Sequence, residues 1–522
     1  MTASQEEDRV NTKRVTVIGA GVGGLVTAID LARQGMEVTV VEKAKGPGGK
    51  MREVEVADTR IDGGPTLFTM TWVFEELFAD AGASFGDYLT LRKAEVLARH
   101  AWDADQWLDL YADQERSAEA IARLAGPQEG ERFRAFCAHA RRVYETLEVP
   151  YLRSSRPTPL SLVSRIGFAR LGALFEIKPY TSMWRMLGEY FRDPRLLQLF
   201  GRYTTYVGAS PLLAPATLML MAQVEQNGIW LVDGGMYRIT AALARLAEER
   251  GVTLRYASEA QRIEVAGGRA QAVVLADGER LAADAVVFNG DVAALGAGLL
   301  GEDARRATAP TRPDERSHSL MAWTITARTE GFPLVRHSYF YSDDYPAEFR
   351  DVFDRQRLPQ GPTVYICAQD RNDHDGIGPD GPERLQCLTY APANGDTHTY
   401  DAAEIEQCEE RTFSRLEHFG LRVQRRPEAS VLTTPDQFHR LFPGSGGAIY
   451  GRAAHGSRSS FTRPASRSRI PGLYLAGGTT HPGPGVPMAA ISGRLAAATL
   501  IQDLASTGRS RATVTLGGTS TR

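Results

Sequence analysis

An α/β fold is predicted for this chain: a dinucleotide-binding sheet with an antiparallel crossover, joined to an antiparallel-sheet substrate domain under a helical lid. Three stretches predict it. Residues 15–42, VTVIGAGVGGLVTAIDLARQGMEVTVVE, pass from a short apolar run through a glycine cluster and a helical segment to a second β-branched run. Residues 252–289 alternate short β runs with tight Gly-containing turns, and residues 470–500 carry a strand, a Gly/Pro-rich loop and a small-residue helix.

The first stretch reads as a βαβ unit. Gly19, Gly21 and Gly24 stand in G-x-G-x-x-G spacing directly after the apolar run 15–18. Gly19 makes the tight turn, Gly21 lets the backbone approach a pyrophosphate, and Gly24 lets the helix pack close to the sheet. The pyrophosphate then lies at the positive helix N-terminus. Glu42 closes the second strand, where a carboxylate accepts both hydroxyls of a ribose and repels a 2′-phosphate. A glycine motif alone says little in a chain with 51 glycines. Strand, helix, strand and terminal acid in that order make the Rossmann-like reading, with NAD and FAD both open and an NADP-type ligand disfavoured.

Next come KAKGPGGK (43–50) and DGGP (62–65). Two glycine-rich turns here suit loops folding over the ligand, with Gly48, Gly49 and Lys50 near the phosphates, although a solvated turn also accommodates Lys50. Residues 66–226 read as helical, in amphipathic stretches such as 71–82 and 117–126. Within them, 151–187 interleaves Arg153, Arg156, Arg165, Arg170, Lys178 and Arg185 with Leu160, Leu162, Val163, Ile166, Phe168, Leu171, Leu174, Phe175 and Trp184, against one acid, Glu176. That pattern suits a helix lying on an anionic lipid surface, and equally a core-facing helix with a basic solvent face.

Gly234-Gly235-Met236 opens a second helix, 237–249, which ends at Gly251. The meander after it runs 252–256, 260–265, a turn at Gly267-Gly268, 270–275, a hairpin turn at Asp277-Gly278, and 285–289. Residues 301–467 supply separate β runs, among them SLMAWTITA, PTVYICAQD and RLQCLTYAP, with a helix over 401–419. Finally, strand 473–476 leads into Gly477-Gly478, and a helix from about Pro487 offers its N-terminal end, Val486 to Met488, as a second anion-stabilising site, Pro487 itself lacking a donor. The chain thus divides into a dinucleotide-binding domain in three parts (14–75, 228–300, 468–503), a helical substrate- and membrane-facing region (76–227) and a substrate-domain sheet (301–467). The polar ends, MTASQEEDR and 504–522, are expected to be disordered.

Composition excludes several classes. A net charge of -3 gives no hint of a nucleic-acid partner. Cys137, Cys367, Cys387 and Cys408 are scattered without a C-x-x-C pair, which argues against a metal site or disulfide framework and for a reducing compartment. No run approaches the ~18 apolar residues of a membrane span, and the leader lacks a signal-peptide core. A cytoplasmic-side protein that lies on a membrane without crossing it is expected.

One fingerprint at the start, and a nucleotide-proximal strand, loop and helix at the far end, fit one elongated cofactor held by both ends of the chain. A flavin-dependent NADPH oxidoreductase usually needs two fingerprints, one per nucleotide. FAD is therefore expected.

The trailing GGK and DGGPT, the crossover end VVFNGDVAALGAGLLG and the C-terminal LYLAGGTTHPGPGVPMAAISG together resemble the FAD-dependent carotenoid desaturases related to phytoene desaturase. DPRLLQLFGRYTTYVGASP and PTVYICAQDR resemble segments of the hydroxyneurosporene and methoxyneurosporene desaturase subgroup, the 1-hydroxycarotenoid 3,4-desaturases. The resemblance spans residues 14–502 and departs at Pro484, where a small residue is usual. It implies that Gly19, Gly21 and Gly24 cradle the FAD pyrophosphate, Glu42 the adenosine ribose and the Ala260 backbone the adenine, while Gly478, Val486, Pro487 and Met488 flank the isoalloxazine and ribityl chain. His481, in the same loop, has no carboxylate partner in the sequence and reads as structural.

The resemblance further implies an acyclic carotenoid substrate, and since so apolar a molecule partitions into lipid, the basic and apolar stretch 151–187 is expected to meet a membrane surface from which it is drawn. Hydride leaves to the flavin, and the cation spread over the polyene acidifies the adjacent C–H, so no dedicated catalytic base is assigned. The electron acceptor, oxygen or quinone, stays open. So do three alternatives: a phytoene desaturase, a carotenoid isomerase without net oxidation, and a flavin amine oxidase. The last wants flavin-flanking aromatics and a lysine-held water, neither of which the C-terminal loop offers.

Overall fold

The computed structural model describes residues 12–155, 158–166, 176–373 and 376–514. The β-branched runs assemble a five-stranded parallel sheet in the order Leu473–Leu475, Ala285–Phe288, Arg14–Ile18, Glu37–Val41 and Thr253–Arg255. Parallel strands must be covered on both faces, and side-chain alternation divides the cover. Val15, Val17, Val38, Val40 and Val287 pack with the helices Val22–Ala32, Tyr237–Glu249 and Val486–Val514. Ile18, Val41, Val286 and Phe288 pack instead against Ile263, Ala270 and Val273 of the crossover.

That crossover is an antiparallel sheet of Ala260–Ala266, Arg269–Leu275 and Arg280–Ala282. Its third strand, past the Asp277-Gly278 turn, is additional to the expected pattern. The run at 252–256 corrects the expectation in the other direction: Thr253–Arg255 is the edge strand of the parallel sheet, paired with Glu37–Val41.

An eight-stranded sheet forms the second layer, in the order Leu421–Gln424, Ser319–Gly331, Glu383–Ala391, Val364–Ala368, His337–Phe340, Val96–Ala101 and Trp107–Tyr111, with Ser430–Thr433 also on Ser319–Gly331. One face packs Trp323, Ile325 and Ile366 against Phe413 and Leu416 of the helix Ala402–His418, whose capping box is Asp401 with Glu404. Residues 66–226 are therefore not helical throughout, which corrects the expectation of a helical segment there. Trp72–Asp80 and Gln114–Ala125 match the expected helices, but Val96–Ala101 and Trp107–Tyr111 are strands of this sheet and Leu91–Lys93 pairs with Trp230–Val232. The first of these strands is buried along its whole length, so polar and apolar residues do not alternate. Its Arg99 is tied to Asp109 across the pair, Nε to Oδ1 at 2.7 Å and Nη2 to Oδ2 at 2.8 Å, and such satisfied polar residues erase the period-two signal.

The expected disordered tail is also corrected. The C-terminal helix continues to Val514 because no proline interrupts it and a nucleated helix propagates readily. The leader 1–11 and residues 515–522 lie outside the described residues.

Candidate cofactor and substrate site

At the nucleotide end, Gly19 has φ +100°, and a β-carbon there would stand 3.0 Å from the Asn289 carbonyl oxygen. A β-carbon on Gly24 would stand 2.1 Å from the Gly19 carbonyl oxygen, so Gly24 serves the close helix packing expected of it. Asn289 Nδ2 donates to the Gly19 carbonyl at 3.1 Å and stiffens the turn. The sequence reading missed Asn289, since Asn-Gly after a strand looks like an ordinary turn. Gly48 closes on Gly21 through a parallel bridge, with Gly48 N–H donating to Ala20 O at 2.9 Å. Glu42 accepts the Ala20 amide at 2.8 Å on one oxygen and the Ala44 amide at 2.9 Å on the other. Each oxygen keeps a further lone pair, so the buried carboxylate is fixed in orientation and still able to accept a ribose hydroxyl.

From here a cavity of about 1440 Å³ runs into the second layer. Single drug-sized ligands fill roughly 300–1,000 Å³, so this volume suits a cofactor together with a large second ligand. Gly19, Gly21, Glu42, Gly49, Lys50, Ala260, Gly478, Val486, Pro487 and Met488 all line it. Gly24 lies behind the wall. The C-terminal helix starts at Val486, with its first turn closed by Ala489 N–H to Gly485 O at 2.9 Å, which leaves the Val486 and Met488 amides at a positive helix end.

Lys50 is not on a solvated turn. Its Nζ donates to the Ile449 carbonyl at 2.6 Å and lies 5.3 Å from the Phe442 ring centroid. Arg463, which the sequence reading missed, also lines the cavity and donates to the carbonyls of Tyr450 at 3.0 Å and Arg452 at 2.7 Å. Burial lowers the pKa of both cations, to about 10 for Arg463, and Asp291 opposes the shift in each. Two desolvated cations in one wall favour an anionic occupant such as a phosphate-bearing cofactor. His481 is buried, with Nε2 3.1 Å from the Tyr151 carbonyl oxygen and its ring edge-on to Tyr151. Desolvation takes its pKa down to about 4, in keeping with a structural, neutral imidazole.

The far half of the cavity has the large sheet as its floor. Alternation along Glu383–Ala391 presents Gln386, Leu388 and Tyr390, joined by Ala322, Tyr339 and Tyr365 from neighbouring strands. Tyr365 donates to Thr66 Oγ1 at 2.7 Å, and its hydroxyl is 2.8 Å from His337 Nδ1. In the wall, Glu225 holds the buried Arg202 guanidinium through two contacts of 3.1 and 3.0 Å and accepts the hydroxyls of Tyr203 and Tyr206 at 2.7 and 2.9 Å. Arg202 and Glu225 sit in stretches that read as helical, where charged residues are taken for a solvated face; burial alone identifies them.

Leu162, Val163 and Tyr180 also line the cavity, and Tyr180 is 91 % exposed. Val149 and Leu160 are 64 % and 84 % exposed nearby in the chain. Of the basic and apolar residues singled out in 151–187, Arg156, Phe168, Arg170, Leu171, Leu174 and Phe175 lie outside the described residues. Trp184 packs on Tyr345, Arg153 stacks over Trp72, and Lys178 pairs with Glu189.

A glycine-turn βαβ unit, an antiparallel crossover and a C-terminal helix end, closing one long cavity on an antiparallel sheet, define a dinucleotide-binding flavoenzyme. The chain belongs to the flavin containing amine oxidoreductase family, whose sequence profile matches residues 22–501. It is 55% identical to a hydroxyneurosporene desaturase of Rubrivivax gelatinosus, over 98% of both chains. A hydroxyneurosporene desaturase of Cereibacter sphaeroides is 44% identical over 95% of this chain and 99% of its own. Among solved structures, an oxidoreductase from Methanosarcina mazei shares the fold with a TM-score of 0.60 and 15% identity, covering 92% of this chain and 99% of that one. FAD is the cofactor, and the Gly19–Gly21 cradle, Glu42 and the Val486 helix end fit it.

Proposed function

We propose that this protein is an FAD-dependent desaturase of acyclic carotenoids that removes two hydrogens from C3 and C4 of a 1-hydroxy- or 1-methoxycarotenoid while resting on a membrane surface. The observation that carries the substrate is the end-to-end identity with desaturases named for hydroxyneurosporene. The geometry supports it. An apolar cavity runs from side chains such as Val163 and Tyr180 to the cofactor loops, so a polyene can thread from lipid toward the flavin.

Bound FAD supplies the hydride acceptor. The chain contributes placement and dryness: the sheet floor and the facing helices hold one C–C bond still and exclude water. The amine-oxidase alternative is less well supported, since Leu388, Ala322, Leu162 and Val163 offer little to a polar amine. The test gives the FAD-loaded enzyme 1-hydroxyneurosporene and phytoene separately. A product two mass units lighter and red-shifted is expected from the first; conversion of phytoene alone would make a phytoene desaturase the better reading.

A further inference from the structure

The cavity floor carries one feature that an all-hydrocarbon substrate would leave unused. Gln386 is only 2% exposed, yet it lines the cavity between Leu388 and the loop 63–66. Its Nε2 donates to the Gly64 carbonyl at 3.3 Å, and its Oε1 is buried without a hydrogen-bond partner. The neighbouring hydroxyls are already engaged: Tyr365 with Thr66 and His337, Tyr206 with Glu225. A buried carbonyl oxygen left unpaired bears its full desolvation penalty, which an incoming donor relieves.

Position gives the donor an identity. Gly64 packs on the Lys50 backbone, where its β-carbon would stand 2.1 Å from the Lys50 carbonyl oxygen, and Lys50 belongs to the loop that closes the cofactor end. Gln386 therefore stands where the sheet floor meets the cofactor loops. The carbon that bears the hydroxyl, C1, is separated from C3 by a single carbon, so whatever reads that hydroxyl must stand beside the reacting bond and not at the cavity mouth.

We infer that Gln386 is the specificity residue for the substrate's end group: its Oε1 accepts the hydrogen bond of the C1 hydroxyl while Gly64 fixes its Nε2. The inference rests on the reading of the protein as a 1-hydroxycarotenoid desaturase and adds a ranking to it. An oxygen acceptor favours a hydroxyl donor over a methyl ether, which has no proton to give, and over a hydrocarbon end.

The test measures kcat/KM of FAD-loaded wild type and Gln386→Met on 1-hydroxyneurosporene, 1-methoxyneurosporene and neurosporene, with flavin absorbance checking that the variant folds. Wild type should prefer the hydroxylated substrate about tenfold or more, and the variant should lose roughly tenfold to hundredfold on it alone, levelling the three. A variant that keeps the hydroxyl preference overturns the role of Gln386 and leaves the desaturase reading standing. Failure of wild type to convert any of the three sinks that reading instead. Should the variant bind no FAD, wild-type affinities for the hydroxy and methoxy polyenes, followed by polyene absorbance, decide the matter: tighter binding of the hydroxy form is expected, and equal binding overturns the inference.

Discussion

Gly493 of the C-terminal helix sits against Gly23 of the first helix: a β-carbon on Gly493 would lie 2.4 Å from the Gly23 carbonyl oxygen. Thr27 ties the same crossing, its hydroxyl 2.7 Å from the Gly23 carbonyl and 3.0 Å from that of Gly493. Segments from opposite ends of the chain thus close one cofactor site by backbone contact. Gly493→Val should overpack the crossing and destabilise the protein by about 1–3 kcal/mol. Thermal unfolding followed by released-flavin fluorescence checks it, with a lower midpoint and earlier FAD release expected; an unchanged midpoint would show that the helices can separate freely.

The cofactor cradle makes a sharper prediction. A β-carbon on Gly21 would already stand 3.0 Å from Asn289 Nδ2, and Val extends further, toward the space expected for the pyrophosphate. Gly21→Val should purify without flavin absorbance. Glu42→Gln should weaken FAD binding by about 1–3 kcal/mol, because one of its two oxygens becomes a donor facing an amide or a ribose hydroxyl. Titration of the apoprotein with FAD measures both, and full flavin retention by the Gly21→Val protein would remove the assignment.

What the sequence made legible follows from how local each signal is. The βαβ unit, Glu42 and the Val486 helix end are written in contiguous residues, so spacing alone placed them. Asn289, Arg463 and Gln386 become site residues only through contacts with Gly19, Tyr450 and Gly64, far away in the chain. Strand Val96–Ala101 was hidden for a related reason: its Arg99 and His100 are buried, and tertiary partners override the polar pattern. Lys50 shows the same limit in one side chain, since only the fold turns it from solvent to the Ile449 carbonyl.

Buried ionisable groups set a pH dependence whose sign can be worked out. Desolvation lowers His318, His455 and His481 to about 4 and His337 to about 3. An unfolded histidine titrates near 6.5, so below that value the unfolded chain binds protons that the native chain refuses. Their stabilising effect is complete above pH ~6.5 and is lost as pH falls toward 4. Glu348 acts oppositely: desolvation raises it from 4.5 to about 7, so the native carboxyl keeps a proton that the unfolded one has released, and stability declines as pH rises through that window. Four histidines outweigh one glutamate, so denaturant midpoints should fall on acidification from pH ~6.5. Glu348→Gln removes the opposing contribution, worth about 1.4 kcal/mol for each pH unit of the window. Its stability should therefore climb more steeply than wild type between pH 4.5 and 7; parallel curves would mean that Glu348 is ionised in the fold.

Attachment to membranes is the remaining expectation with a structural handle. Val149 and Leu160 are 64% and 84% exposed, alongside Val163 and Tyr180 of the cavity wall. Large side chains exposed in this density around a cavity that suits a polyene gain free energy by entering lipid, and Arg165 and Arg185 add attraction to anionic headgroups. Flotation with liposomes should recover the protein in the lipid fraction, more strongly with anionic lipid and less at high salt, because screening shortens the reach of the charges. Val149→Asp with Leu160→Asp should reduce that recovery while leaving turnover of detergent-dispersed substrate close to wild type, since neither side chain lines the cavity. Equal recovery in the soluble fraction with and without liposomes would rule the attachment out, and loss of detergent activity in the double variant would assign these residues to the cavity rather than to the lipid.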